Sequence, residues 1–242
     1  MTSFTERTYR QRVKAVDLVS FHVAIKETDL WVMADRNLER ETRDLVFDCR
    51  LKLENYICSH ETFLTTLQPY PEDPYAPDMI KAMIEMTRPV GVGPMASVAG
   101  AIAQFVGEGL LRATDQVIVE NGGDIYLKTE RPVTVLIHAG RSIFSEKIGL
   151  KIPTRQMPVG ICSSSATIGH SLSMGSADLV CTIARSALLA DGAATALCNM
   201  VKGKKDLEGI PRWAGQIEGI IGGLAILGDS MLPWGDIELV GL

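Results

Sequence analysis

The sequence predicts an α+β fold in which a largely antiparallel sheet packs against helices. Three observations lead there. The elements run strands, long helix, helix, strands, helix, strands, which disfavours the strand–helix alternation of a doubly wound parallel sheet. Short runs rich in β-branched and aromatic residues follow one another with only glycine, proline or charge between them. A long stretch from Asp35 carries apolar residues at three- and four-residue spacing, the mark of an amphipathic helix.

VSFHVAIKE and DLWVMAD, within residues 12–34, read as a hairpin with Lys26-Glu27-Thr28-Asp29 as its polar turn. Leu38, Leu45, Val46, Cys49, Leu53, Tyr56 and Ile57 then share a helical face as far as about Ser59, with a solvated charged face opposite. PYPEDPYAP holds four prolines in nine residues and reads as a surface loop, because proline removes donors and breaks helices. Asp78 caps a short helix, MIKAMIEM, that ends at Pro89. A glycine-rich entry leads into a helix from about Met95 to Leu111. QVIVE, DIYLK, PVTVLIHA, EKIGLKI, VGICS and DLVCTIA read as strands. A helix runs from Ser186 to about Lys202, a short helix fits before Trp213, and GIIGGLAILGD and DIELVGL close the chain as strands.

The 242 residues suit one domain spanning the chain, and the proline loop near Tyr70–Pro77 is the best candidate for a boundary. With 24 Lys+Arg against 29 Asp+Glu, the net charge of −5 argues against a nucleic-acid binder, whose affinity is built from clustered cations. Five cysteines without a C-x-x-C pair point to buried free thiols in a reducing compartment. The charged N-terminus has no apolar stretch behind it, so a cytoplasmic location is expected. Val90 to Gly107 is free of charge and nearly long enough to span a membrane. Its proline, serine, Gln104 and four glycines favour a buried helix instead, so no membrane partner is expected.

Four segments can carry chemistry. Asn121-Gly122-Gly123-Asp124 lies between strands. Its glycines permit positive φ and close approach of a ligand, with Asp124 as an acceptor, and the same residues also suit a plain hairpin turn. Asp191 and Thr195 stand four residues apart in a helix, on one face, where hard oxygens suit Mg²⁺. The bland alternative is an Asp favouring the helix dipole and a Thr bonded back to a carbonyl. Ser163-Ser164-Ser165 opens a hydroxyl-rich run that ends with His170 and Ser171. The hydroxyls and amides there can bind phosphate and His170 can act as acid or base, or the run is a solvated loop. Gly91 to Gly100 opens a helix whose free N–H groups can bind an anion, though close helix packing explains the glycines equally well. No cysteine–histidine spacing suits zinc, and His22 and His138 read as packed strand residues.

Taken together, NGGDI, VLIHAG, the Ser-rich segment and ADGAATAL resemble the ApbE-like superfamily, in that order and over about the C-terminal two thirds of the chain. Its central members are magnesium-dependent FMN transferases that split FAD and attach FMN to a Thr or Ser of a target protein. The resemblance implies a T-fold-like arrangement, Asp191 and Thr195 as Mg²⁺ ligands, and a FAD-binding segment at Asn121, Gly122, Gly123 and Asp124. It places Ser163, Ser164 and Ser165 in the same cleft and His170 at the position of the family's H-x-x-P histidine. It implies a small nucleotide and an acceptor protein as partners.

The sequence departs from that pattern at two places. The family's I-A-K-G stands here as Ser97-Val98-Ala99-Gly100, without the lysine, and its H-x-x-P as His170-Ser171-Leu172-Ser173, without the proline. The chain is most similar to a short branch of the superfamily, without an assigned activity, whose hallmark resembles GPMASVAGAIA (Gly93–Ala103). The expected function is binding of FAD or a related nucleotide with Mg²⁺, with FMN transfer or cleavage of the FAD pyrophosphate. The alternatives are a flavin- or nucleotide-binding module without catalysis, and a structural or assembly protein that keeps the fold.

Overall fold

The computed structural model describes residues 17–166 and 175–242. The chain enters through a hairpin of β1 (Val19–Ile25) and β2 (Thr28–Ala34). Ile25 pairs with Thr28, so the turn is Lys26-Glu27 alone, tighter than the four residues the polarity suggested. Asp29 belongs to the strand because its side of β2 is covered, leaving it buried despite its charge. In β1 the alternation is plain: Phe21 and Val23 are buried and their neighbours are not.

Helix α1 (Glu39–Ser59) buries Thr42, Val46, Cys49, Leu53 and Tyr56, one stripe at helical spacing. A single further turn, α2 (Glu61–Thr65), was not legible in the sequence; buried Phe63 holds it against the core. The proline loop that follows does not divide the core, because Tyr56 and Phe63 before it and Met79 and Met83 after it belong to one apolar cluster. Its Asp73 accepts the Tyr56 hydroxyl at 2.9 Å. In α3 (Asp78–Thr87) Pro77 takes the cap position and Asp78 the first helical one, so Asp78 acts on the helix dipole rather than as a cap. A 3₁₀ turn at Pro94–Ser97 leads into α4 (Val98–Leu110), a helix that is apolar because it is buried. No helix among the described residues is long and apolar enough to cross a membrane.

The strands that follow are β3 (Val117–Asn121), β4 (Asp124–Lys128), β5 (Val133–Leu136), β6 (Ile148–Ile152), β7 (Val159–Ser164) and β8 (Leu179–Ala184). Then come α5 (Ala187–Met200), the short α6 (Lys204–Leu207) and α7 (Ile210–Ala214), β9 (Ile220–Leu227), β10 (Ser230–Gly235) and β11 (Glu238–Gly241). Strand β10 was not expected, since SMLPWG carries a proline. It forms at the sheet edge, where the missing N–H has no ladder partner to deprive.

Eight strands form one antiparallel sheet in the order β1-β2-β3-β4-β7-β8-β9-β10, and β11-β6-β5 form a smaller one. The α+β architecture with a large antiparallel sheet is thus the one the element order implied. Alternation gives the large sheet two apolar faces. Val117, Val119, Tyr126 and Cys162 face a core shared with α1, α3, α4 and α5. Ile118, Leu127, Ile161 and Ile183 face a second core shared with Leu150 and Ile152 of the small sheet. Four cysteines are buried, whereas Cys58, near the end of α1, is exposed, against the expectation of five buried thiols; all five are free.

One contact sets the spacing of the helical layer. A β-carbon on Gly160 of β7 would lie 2.2 Å from Ala187 Cα, and one on Gly100 of α4 would lie 2.3 Å from the Ala187 carbonyl oxygen. Ala187, at the start of α5, is therefore held between the sheet and α4 with no room for a methyl group on either side. Replacing Gly160 by Ala should lower the unfolding free energy by about 2–3 kcal/mol. Gly241→Ala, with open space at its β-carbon, should change it by less than about 0.5 kcal/mol. Urea denaturation of the two variants checks both values.

Candidate functional site

The site is built where α4 begins, α5 passes its first turn, and the β3–β4 hairpin closes. Asn121 and Asp124 face each other across that hairpin, and the turn between them is Gly122-Gly123, with φ of +71° and +111°. Two positive φ values are what a two-residue hairpin turn demands, so the glycines serve the turn whatever else they do. Asn121 and Asp124 lie on the helical face, in alternation with Ile118 and Ile125 on the other. The Asn121 side-chain amide donates to the Ala99 carbonyl at 3.1 Å, which ties the hairpin to the start of α4. Asp124 is buried and accepts the Ser163 backbone N–H at 3.2 Å.

Asp191 comes from above. It stands just past the first turn of α5, so the dipole of its own helix is not what it answers. Its carboxylate accepts the Gly100 N–H at 2.9 Å, in the first turn of α4. The anion at the glycine-rich entry to α4 is thus supplied by the protein itself, and the free amides there are used in packing one helix on the other. Thr195 follows Asp191 by one helical turn, and both residues keep part of their surface exposed.

The carboxylate of Asp191 is held well above the ordinary carboxylate range. Removal from water is the largest cause, and the charge of Asp124 is the next. The Gly100 and Ala99 amides act in the other direction and do not overcome the two. A pair of acids facing each other in this way suits a divalent cation, which removes the repulsion that raises the pair. Among the described residues no three His, Cys, Asp or Glu side chains cluster as a metal site. The donor set on hand is therefore one or two carboxylates and a hydroxyl, which fits Mg²⁺, an ion that keeps several waters and completes its shell with phosphate oxygens.

The serine run is divided by strand alternation. Ser164 shares the helical face with Cys162, while Ser163 lies on the other face and its hydroxyl bonds the Cys181 thiol. Ser163 reaches the cleft through its backbone N–H, and Ser164 and Ser165 are buried. His170 lies outside the described residues. Cys162 is buried beside Asp124 and donates its thiol to the Ala187 carbonyl at 3.4 Å; burial raises its pKa, so it acts as a neutral donor. His22 is half exposed and bonds Asp29, and His138 lies 3.4 Å from Glu146 in a loop, so neither is the packed strand residue expected.

Two residues that hold the site were not singled out in the sequence. Glu120 is buried on the far face of β3 and accepts the Gly123 N–H at 2.8 Å, fixing the turn. Gln104 of α4 accepts the Ala187 N–H at 2.8 Å and the Ser186 hydroxyl at 3.1 Å. Its only signal in the sequence was polarity within an uncharged stretch.

Comparison with known proteins agrees with this fold. The sequence matches the family described as AbpE bacteria over residues 10–216. It is 40% identical over 221 residues to a UPF0280 protein of Methanospirillum hungatei, covering 90% of this chain and 88% of that one. A UPF0280 protein of Methanocella arvoryzae is 38% identical over 217 residues, with 89% and 88% covered. Among solved structures, the fold resembles the flavinyl transferase ApbE of Pseudomonas stutzeri, with a TM-score of 0.59 at 14% identity over 90% of this chain and 94% of that one. It also resembles the flavin transferase ApbE of Vibrio cholerae, with a TM-score of 0.58 at 12% identity over 93% and 96%. At such identity these two likenesses concern the fold.

The raised Asp191 has a sign that can be tested on the protein in chelator. A folded-state pKa above the unfolded one contributes stability at low pH that is lost as pH rises through the folded value. Asp191→Asn keeps an oxygen for the Gly100 amide and has no charge to bury. It should melt above the wild type at neutral pH, by roughly 2–4 °C for each ~1 kcal/mol relieved. The gap should close as pH falls toward the ordinary carboxylate range. Thermal melts of both proteins across pH 4–8 check the trend.

Proposed function

We propose that this chain, which belongs to the AbpE bacteria family, binds FAD or a related nucleotide together with Mg²⁺ and transfers FMN from it or cleaves its pyrophosphate. The observation that carries the reading is the carboxylate of Asp191 held high beside Asp124, at the mouth of a glycine turn. Support comes from the flavin transferases whose fold it resembles.

Asp191 and Thr195 would hold the cation, with Asp124 close enough to answer its charge. When bound, the cation supplies neutralisation of the pyrophosphate and of the charge that develops on a leaving AMP. The chain's own residues do the rest. Gly122 and Gly123 leave the turn without side chains, so a nucleotide can approach the backbone. Asn121, anchored on Ala99, and Asp124, anchored on the Ser163 amide, keep the two sides of that turn in place. Ser164, at the end of β7, and Ser165 beside it would face the same cleft, while Ser163 contributes only its backbone N–H, through Asp124. His170 is assigned the proton of the attacking hydroxyl, of an acceptor protein or of water, on sequence grounds.

A second reading has its own observation. Asp191 is already engaged by the start of α4, and Ala99 stands where the family pattern has a lysine. A cleft so arranged can bind a flavin nucleotide and do no chemistry. Calorimetric titration with FAD, with and without Mg²⁺, followed by chromatography for AMP, separates the two. Transferase or pyrophosphatase activity predicts Mg²⁺-dependent AMP release that Asp191→Asn abolishes. Binding without AMP, with a peptide bearing Ser and Thr hydroxyls present as acceptor, establishes the module, and unchanged turnover in Asp191→Asn would falsify the assignment of the cation site.

A further inference from the structure

The helices α4 and α5 each close the other's N-terminus. Asp191 of α5 accepts the Gly100 N–H of α4 at 2.9 Å, and Gln104 of α4 accepts the Ala187 N–H of α5 at 2.8 Å. The two bonds run in opposite senses. Gly100 meets Asp191 and Gln104 meets Ala187, so the helices lie antiparallel and each bond sits one turn from the other. Ser186, at the cap position of α5, makes no cap bond of its own and donates its hydroxyl to the same Gln104 oxygen at 3.1 Å. Between the two bonds lies the Gly100–Ala187 contact that admits no β-carbon.

From this we infer that Gln104 is a positioning residue for Asp191: its side-chain oxygen fixes the start of α5 and thereby the carboxylate one turn along. The inference deepens the proposed function, since it rests on Asp191 as the cation ligand for its functional meaning. Its structural content does not depend on that. The bonds form a closed loop through two backbone amides, a tight glycine contact and two side chains, so loosening one end must be felt at the other. A cap that served α5 alone would release only Ala187. Gln104 donates in turn to Glu108 at 2.8 Å, which orients its amide and leaves the oxygen directed at α5. The required property is an acceptor at this position, which defines the variants.

Gln104→Met has a similar length and no acceptor of this kind. The exchanged pair, Gln104→Glu with Glu108→Gln, keeps the acceptor, the bond between the two side chains and the net charge. Amide hydrogen exchange is read at Ala187 and Gly100 in the full-length protein. In Gln104→Met both amides should exchange roughly tenfold faster, the scale of one lost buried hydrogen bond, and in the exchanged pair both should stay protected. Asp191→Ala provides the reverse arm, in which Ala187 should lose protection although its own acceptor is intact. It also decides the matter if Gln104→Met does not fold. Faster exchange at Ala187 with Gly100 unchanged, or an unaffected Ala187 in Asp191→Ala, overturns the inference. Mn²⁺ titration of the same proteins reads the functional side: Gln104→Met should bind the ion more weakly and the exchanged pair as the wild type does. A wild type that binds no Mn²⁺ removes the cation reading, and the exchange arms still decide the lock.

Discussion

The close approach of α4, α5 and β7 around Ala187 is the constraint on which the rest depends. Glycine at positions 100 and 160 lets a helix backbone lie on a strand and on a second helix at once. Ala187 then offers its N–H to Gln104 and its carbonyl to the Cys162 thiol, so the contact is bonded on both sides as well as packed. The consequence reaches the site directly. Only a helix seated this close brings Asp191 within a hydrogen bond of α4 and within the field of Asp124 on the sheet. Small residues here are a condition of the site's geometry, not filler between larger ones.

That geometry has an electrostatic cost. A carboxylate drawn partly out of water and set near a second one loses solvation and gains repulsion, which together hold it above the ordinary carboxylate range. The amides at the start of α4 return part of it, because helix N-termini favour negative charge. A protein selected for stability alone would place an amide at position 191. Retaining the acid makes sense where the charge is used, and a pair of hard oxygens that repel one another is disposed to receive a cation.

Much of the fold was legible because periodicity records burial. The stripe of α1, the glycine hairpin and the strand group after Thr114 could be read from residue spacing. What could not be read has particular reasons. Strand β10 hides behind Pro233, whose meaning depends on an edge position that only the assembled sheet defines. The turn after β1 is narrower than its polarity implies because Thr28 and Asp29 are polar yet covered. In the cleft, the i, i+4 spacing of Asp191 and Thr195 showed a shared face, but no pattern in α5 shows that Asp191 points at the start of α4. The serine run looked like one surface, and strand alternation splits it between the two faces of the sheet. Contacts made across 91 positions of chain, as between Gly100 and Asp191, leave no local trace.

The loss of lysine at Ala99 bears on how such a cleft balances its charge. The ApbE-like sequence pattern that the chain resembles has a lysine at this position. Here the same position carries a methyl group, and its carbonyl is committed to Asn121. The positive end that remains at this place is the pair of backbone amides at Ala99 and Gly100, partial charges fixed in direction and already turned toward Asp191. Fixed amides can steady one carboxylate; they have no mobile charge to offer an incoming pyrophosphate. On the proposed function, two acids here and no lysine at position 99 would leave the phosphate charge to a bound divalent ion. On the same reading, cation and nucleotide would bind this cleft with linked affinities.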